Sequence, residues 1–268
     1  MPNMDRFQRT FEKIRKEKRI AFMPFLVGGD PNPEKGLEIL KEVAKYSDGL
    51  ELGLPFSDPV ADGPTVQAAD TRALKAGVTP DKVFEIVKQL RKETDIPITF
   101  LVYANLVYQR GIEKFYKDAK IAGVDGVLVP DVPLEESGQF VQAAKHADIR
   151  PIFLITPATN KERRKKILRE AEGFIYIVSV LGVTGARAEV EPRTIQLVKN
   201  LKQETDLPLV VGFGISTPEH VKTLRMAGAD GAIVGSALIK YMEPYYKTPK
   251  ELQKKLKAYL GAFQKASL

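Results

Sequence analysis

The chain contains no cysteine. Disulfides, thiolate nucleophiles and Cys-ligated zinc are therefore excluded. Histidine is scarce too: His146 and His220 are the only two, far apart and each within a helical pattern, so both read as surface helix residues. Metal-based and histidine-based catalysis are not expected. No apolar run reaches the roughly 20 residues that span a bilayer, and residues 1–10 are polar, without the apolar centre of a signal peptide. A soluble, cytoplasmic protein is expected. Low-complexity stretches are also missing, and 268 residues with 44% hydrophobic and 28% charged side chains suffice for a proper core. The net charge of +7 lies mostly in mixed-sign helical stretches such as 161–169 and 250–257. These are solvated faces, and no nucleic-acid motif accompanies them.

What is present is a regular alternation. Phe7, Phe11 and Ile14 form one stripe of an amphipathic helix over residues 3–17, a lid on the core. Strands are predicted at 20–27, 49–53, 98–102, 126–129, 151–155, 174–178, 209–211 and 231–234. Between and after them, helices are predicted at 33–46, 65–75, 80–93, 111–122, 134–147, 161–171, 192–204, 218–227 and about 249–266. Length alone does not separate one large domain from two small ones. Two internal echoes do. Glu93-Thr94-Asp95-Ile96-Pro97-Ile98 recurs 111 residues later as Glu204-Thr205-Asp206-Leu207-Pro208-Leu209, before the third and seventh strands. Ala122-Gly123-Val124-Asp125-Gly126 recurs 105 residues later as Ala227-Gly228-Ala229-Asp230-Gly231, before the fourth and eighth. Both echoes are displaced by four β-α units, as two half-barrels sharing one axis require. The expected fold is a single α/β domain over 1–268, a (β/α)8 TIM barrel with an extra N-terminal helix and a C-terminal helix.

Chemistry concentrates in residues 49–64, where an apolar strand breaks into a loop rich in Pro, Gly and Asp. Glu51 interrupts that strand, and a buried carboxylate costs several kcal/mol unless paired or neutral. Asp62 follows on the loop, so one acid rides on rigid scaffold and the other on a movable segment, a division suited to acid/base work. The competing reading makes Glu51 a structural acid paired with a Lys or Arg, and Asp58 and Asp62 turn formers. Glycines follow the last strands: Gly212-Phe213-Gly214, then Gly235-Ser236 opening a helix. At the C-terminal end of a barrel they favour a phosphate site over simple tight turns, because bare backbone amides approach an anion closely. A third glycine loop, Leu181-Gly182-Val183-Thr184-Gly185-Ala186, follows the sixth strand.

The stretch 50–64, Leu-Glu-Leu-Gly-Leu-Pro-Phe-Ser-Asp-Pro-Val-Ala-Asp-Gly-Pro, resembles the signature of the tryptophan synthase α subunit. Tyr103-Ala104-Asn105, Asp131-Val132-Pro133, Gly182-Val183-Thr184-Gly185, Gly212-Phe213-Gly214 and Gly235-Ser236 match that family in order, covering nearly the whole chain. Val27-Gly28-Gly29 departs from it, since the family has a Thr and one Gly before Asp-Pro. The resemblance implies cleavage of indole-3-glycerol phosphate to indole and glyceraldehyde 3-phosphate, with no metal or organic cofactor. It makes Glu51 the acid/base and gives Asp62 the indole N–H. Tyr176 would support Glu51 by a hydrogen bond, while Phe22, Leu101, Leu128 and Phe213 would enclose the indole, core packing being the alternative for each. Phosphate would rest on amides around Gly185, Gly214, Gly235 and Ser236. The implied partner is the pyridoxal-phosphate-dependent β subunit in an αββα assembly, docking on residues 55–60, near Asn105 and on 131–135, with Thr184 closing over Asp62. Two alternatives stay open: another phosphosugar isomerase or aldolase, disfavoured by the lack of a Schiff-base lysine at a strand end, and a non-catalytic activating subunit, disfavoured by the intact acids.

Overall fold

Eight parallel strands, β1 (Ala21–Val27), β2 (Leu50–Gly53), β3 (Ile98–Leu101), β4 (Gly126–Leu128), β5 (Arg150–Ile155), β6 (Ile175–Val178), β7 (Leu209–Gly212) and β8 (Gly231–Val234), pair in sequence order. β8 returns to β1 and closes the barrel. The structure is a computed structural model and describes residues 4–179 and 189–268. Around the strands run α1 (Arg6–Lys16), α2 (Pro33–Ala44), α3 (Pro64–Lys75), α4 (Pro80–Leu90), α5 (Ala104–Arg110) and α6 (Ile112–Ala122). They continue as α7 (Gly138–His146), α8 (Lys161–Glu170), α9 (Pro192–Leu201), α10 (Pro218–Ala227), α11 (Ser236–Met242) and α12 (Pro249–Ser267). This is the expected TIM barrel. No described helix is long and apolar enough to cross a membrane.

Local chemistry sets the boundaries. α2, α4 and α10 each begin with proline, whose missing N–H costs nothing there, behind Asn32, Thr79 and Thr217, whose side chains accept an amide of the first turn. The strands are short apolar runs because helices cover one face and the barrel core the other. α1 closes the N-terminal end: Phe7 packs edge-on to Phe174 at 5.6 Å, and a Cβ at Gly126 would stand only 3.1 Å from the Phe7 ring. At the opposite flank, α12 lays Leu252, Leu256, Leu260 and Phe263 against the barrel.

Both sequence echoes belong to the N-terminal end of the barrel and are structural. Asp125 accepts the Ile98 amide at 2.8 Å and pairs with Arg91; Asp230 accepts the Leu209 amide at 2.8 Å and pairs with Lys202. Asp48 does the same for Phe22 at 3.0 Å, paired with Arg19. Each aspartate thus hooks the amide at the start of a strand. Two helices differ from expectation. Gly111, at φ 84, separates α5 from α6, a left-handed position that favours glycine, so the Tyr103-Ala104-Asn105 segment opens a helix of its own. The helix predicted over 134–147 begins as a 3₁₀ turn, Leu134–Glu136, before α7. The Val27-Gly28-Gly29 departure has a packing cause: a Cβ at Gly28 would fall 2.9 Å from Val83 on α4.

Candidate active site

The C-terminal ends of β1, β2, β3, β6, β7 and β8 surround a cavity of about 290 Å³. Glu51 enters it from β2. The residue is 1% exposed, and Oε1 has no hydrogen-bond partner among the described residues. Among the described residues no Lys or Arg pairs with Glu51, the pairing that the structural reading required. Burial first, and the charge of Asp62 second, push the Glu51 pKa up to about 8, so the group is a neutral acid near pH 7.

Asp62 lines the same cavity from the loop after β2 and is also buried. The Tyr103 hydroxyl donates to its Oδ2 at 2.7 Å and accepts the Ala61 amide at 3.0 Å, while the Tyr103 ring stacks on Phe56 at 5.2 Å. One residue before α5 therefore ties down both ends of the loop turn. Gln67 Nε2 adds a bond to the Asp62 carbonyl at 2.8 Å. Burial raises the Asp62 pKa, and the Tyr103 hydrogen bond opposes that rise. Behind the loop, Asp70 of α3 is buried, accepts the Phe56 amide, and is pushed up to about 8, mainly by burial and next by Asp62. Nothing in the sequence singled out Tyr103 or Asp70 for these contacts.

The far side of the cavity is built from backbone. Gly214, Gly235 and Ser236 line it as expected, joined by Ser216 and by Lys240 of α11, the one cation among the described lining residues. Phe213 and Gly214 both have positive φ, 65 and 72, so β7 ends in a sharp left-handed turn that glycine tolerates and phenylalanine does not favour. The Ser179 hydroxyl donates to the Phe213 carbonyl and holds that turn. Thr184 and Gly185 lie outside the described residues.

The apolar wall departs from expectation at two positions. Phe22 does not reach the cavity; it stacks on Phe263 of α12 at 5.3 Å and 15°, on the outer face of β1. Strand alternation explains this, because residues three apart point to opposite faces and Phe25 is the one that faces inward. The Phe25 ring wedges between two glycines, where a Cβ at Gly53 or Gly235 would come within 2.9 Å of it. Leu128 is buried but lines a separate cavity beside β4 and β5. Leu101, Tyr176 and Phe213 do line the site, together with Ile233. Tyr176 makes no hydrogen bond to Glu51 among the described residues; its hydroxyl packs over Gly212, where a Cβ would lie 2.1 Å away. His220 is buried and not on the surface: Nδ1 accepts the Ser216 amide at 3.3 Å, bracing the loop after β7. His146 is exposed, as expected.

The cavity thus offers a neutral buried acid, a second acid, an apolar wall and a glycine-lined end beside a lysine. The profile of the family described as Tryptophan synthase alpha chain matches residues 11–268. The tryptophan synthase α chain of Methanoregula boonei is 48% identical over 98% of this chain and 99% of its own length. Among solved structures, the α subunit from Legionella pneumophila superposes with a TM-score of 0.89 at 34% identity, covering 98% of both chains. A chain of the tryptophan synthase α2β2 complex from Pyrococcus furiosus does so with 0.83 at 40% identity, covering 90% of this chain and 98% of that one. On its barrel, its cavity and its similarity along almost the whole length, the chain belongs to the tryptophan synthase α-chain family.

Proposed function

We propose that this cavity carries out the family's lyase reaction, cleavage of indole-3-glycerol phosphate to indole and glyceraldehyde 3-phosphate, with Glu51 moving the proton. The observation that carries this reading is the Glu51 carboxyl, buried with no cation paired to it among the described residues and held protonated near neutral pH by burial and by Asp62, at the wall of a cavity lined by an apolar side. Glu51 delivers its proton to C3 of the indole, and positive charge develops on the ring. Asp62, facing the indole N–H, offsets that charge. The Glu51 carboxylate then takes the proton of the adjacent glycerol hydroxyl. The C3–carbon bond breaks, its electron pair restores the aromatic ring, and the hydroxyl carbon becomes the aldehyde. The net change is transfer of one proton from oxygen to carbon, and Glu51 ends as it began.

The ring lies between Phe25, Leu101 and Phe213, and the phosphate rests on the amides around Gly214, Gly235 and Ser236, with Gly185 expected to join them. Lys240 supplies the countercharge. Thr184 is retained as the residue that closes over Asp62. A β subunit in an α2β2 (αββα) assembly is the partner, as in the Pyrococcus furiosus complex, and it docks on the same barrel face, where Val60 and Tyr108 are exposed apolar side chains. We also read residues 1–268 as one domain, because all eight strands close one sheet and α12 packs back on it, and we propose the cytoplasm as its place of action. Incubation with indole-3-glycerol phosphate, following indole with and without added β subunit, tests the reading. Indole release that rises with β subunit supports it; no indole under either condition refutes it.

A further inference from the structure

Glu51 and Thr99 are Cα partners on β2 and β3. Both side chains belong to the interior face, and both are buried, Thr99 at 0% exposure. Glu51 Oε1 and Thr99 Oγ1 each lack a hydrogen-bond partner among the described residues. Unsatisfied buried oxygens are rare, and here two occur at one register position, one able to accept and the other able to donate. The register partner of Thr99 on the other side is Gly126, which has no side chain, and the Phe7 ring fills the space next to that glycine. Neighbouring strands are separated by about 4.8 Å, so rotation about the side-chain torsions of Glu51 or Thr99 brings Oγ1 within reach of Oε1.

We propose that Thr99 is a positioning residue for Glu51: its hydroxyl donates to Oε1 and so turns the other carboxyl oxygen into the cavity, where the proton is exchanged with substrate. The proposal rests on the reading of Glu51 as the acid/base. Among the described residues three other titratable groups line the cavity with Glu51: Asp62 from the loop after β2, Tyr176 from β6 and Lys240 across the cavity from α11. None changes in a Thr99 variant, so their effects cancel in the comparison.

Thr99→Val keeps the shape and removes the donor. A hydroxyl that donates to a carboxylate favours its ionised form, so its loss raises the Glu51 pKa. The active form at the first step is the protonated one. The alkaline limb of kcat therefore moves to higher pH by about one unit, and kcat near pH 7 falls about tenfold with KM little changed. Thr99→Ser restores both. In a Glu51→Gln background Thr99→Val has no further effect on kcat, since the two act as one unit. A parental pH profile and kcat in Thr99→Val, with a raised Tm because an unpartnered hydroxyl has been replaced by methyl, would overturn the proposal. Full activity of Glu51→Gln alone would instead remove the acid/base reading beneath it. The two failures are therefore distinguishable.

Discussion

The Tyr103 hydroxyl donates to Asp62 Oδ2 at 2.7 Å while accepting the amide of Ala61 at 3.0 Å. Asp62 is thus held on a loop by a residue from the next strand-to-helix junction, and the hydrogen bond keeps its carboxyl more acidic than burial alone would allow. Tyr103→Phe should lower kcat/KM roughly 10- to 100-fold, the range for losing a hydrogen bond to a charged group. Because Asp62 works ionised and loses a donor, the acid limb of the pH profile should move to higher pH. Steady-state indole release across pH checks both effects, and an unmoved acid limb would detach Tyr103 from Asp62.

Phe22 and Phe25 separate structure from function on one strand. Phe22→Leu should cost about 1 kcal/mol of stability by loosening the stack on Phe263, and should leave KM unchanged. Phe25→Leu should raise KM severalfold, because that ring faces the cavity. Thermal unfolding read beside KM for each variant decides; the reverse pattern would restore Phe22 to the site.

Gly212 makes room for Tyr176. A Cβ at 212 would lie 2.1 Å from the tyrosine oxygen and 2.4 Å from Cζ, so Gly212→Ala should destabilise by about 1–3 kcal/mol through overpacking and push the phenol into the cavity. Tyr176→Phe in the Gly212→Ala background should recover part of the Tm. Denaturant unfolding of the single and double variants measures the coupling.

Asp70 gives the fold a pH dependence of definite sign. Its folded pKa of about 8 stands above the ordinary aspartate value, so between about pH 4 and 8 the folded state holds a proton that the unfolded state has lost. Stability from this group is greatest at low pH and declines as pH rises towards 8. Asp70→Asn keeps an oxygen to accept the Phe56 amide and removes the titration. Its Tm should exceed the parent's by more at pH 8 than at pH 5, and an equal difference at both would contradict the assignment.

Much of this was legible in the residues. The half-barrel echoes announced the architecture, because Asp125 and Asp230, 105 residues apart, do the same work at the base of β3 and β7. Glu51 was visible as a charge in an apolar strand, and Gly214, Gly235 and Ser236 as glycine-rich strand ends. Phe22 was misread because the segment around β1 is apolar at every position; with both faces of a barrel strand buried, alternation leaves no trace in hydropathy. Tyr103 and Asp70 could not be assigned their contacts, since the loop that joins them to Asp62 and Phe56 brings together residues distant in sequence. His220 lay in a helical pattern, and its burial depends on how α10 sits against the loop after β7.

The central claim is that one buried carboxyl moves the proton. Glu51→Gln preserves size and removes titration, and the substitution sits in a strand that stays folded by circular dichroism if the account is right. At saturating indole-3-glycerol phosphate with β subunit present, indole release by this variant should fall at least about 10²- to 10⁴-fold. Turnover within a few-fold of the parent enzyme would contradict the account.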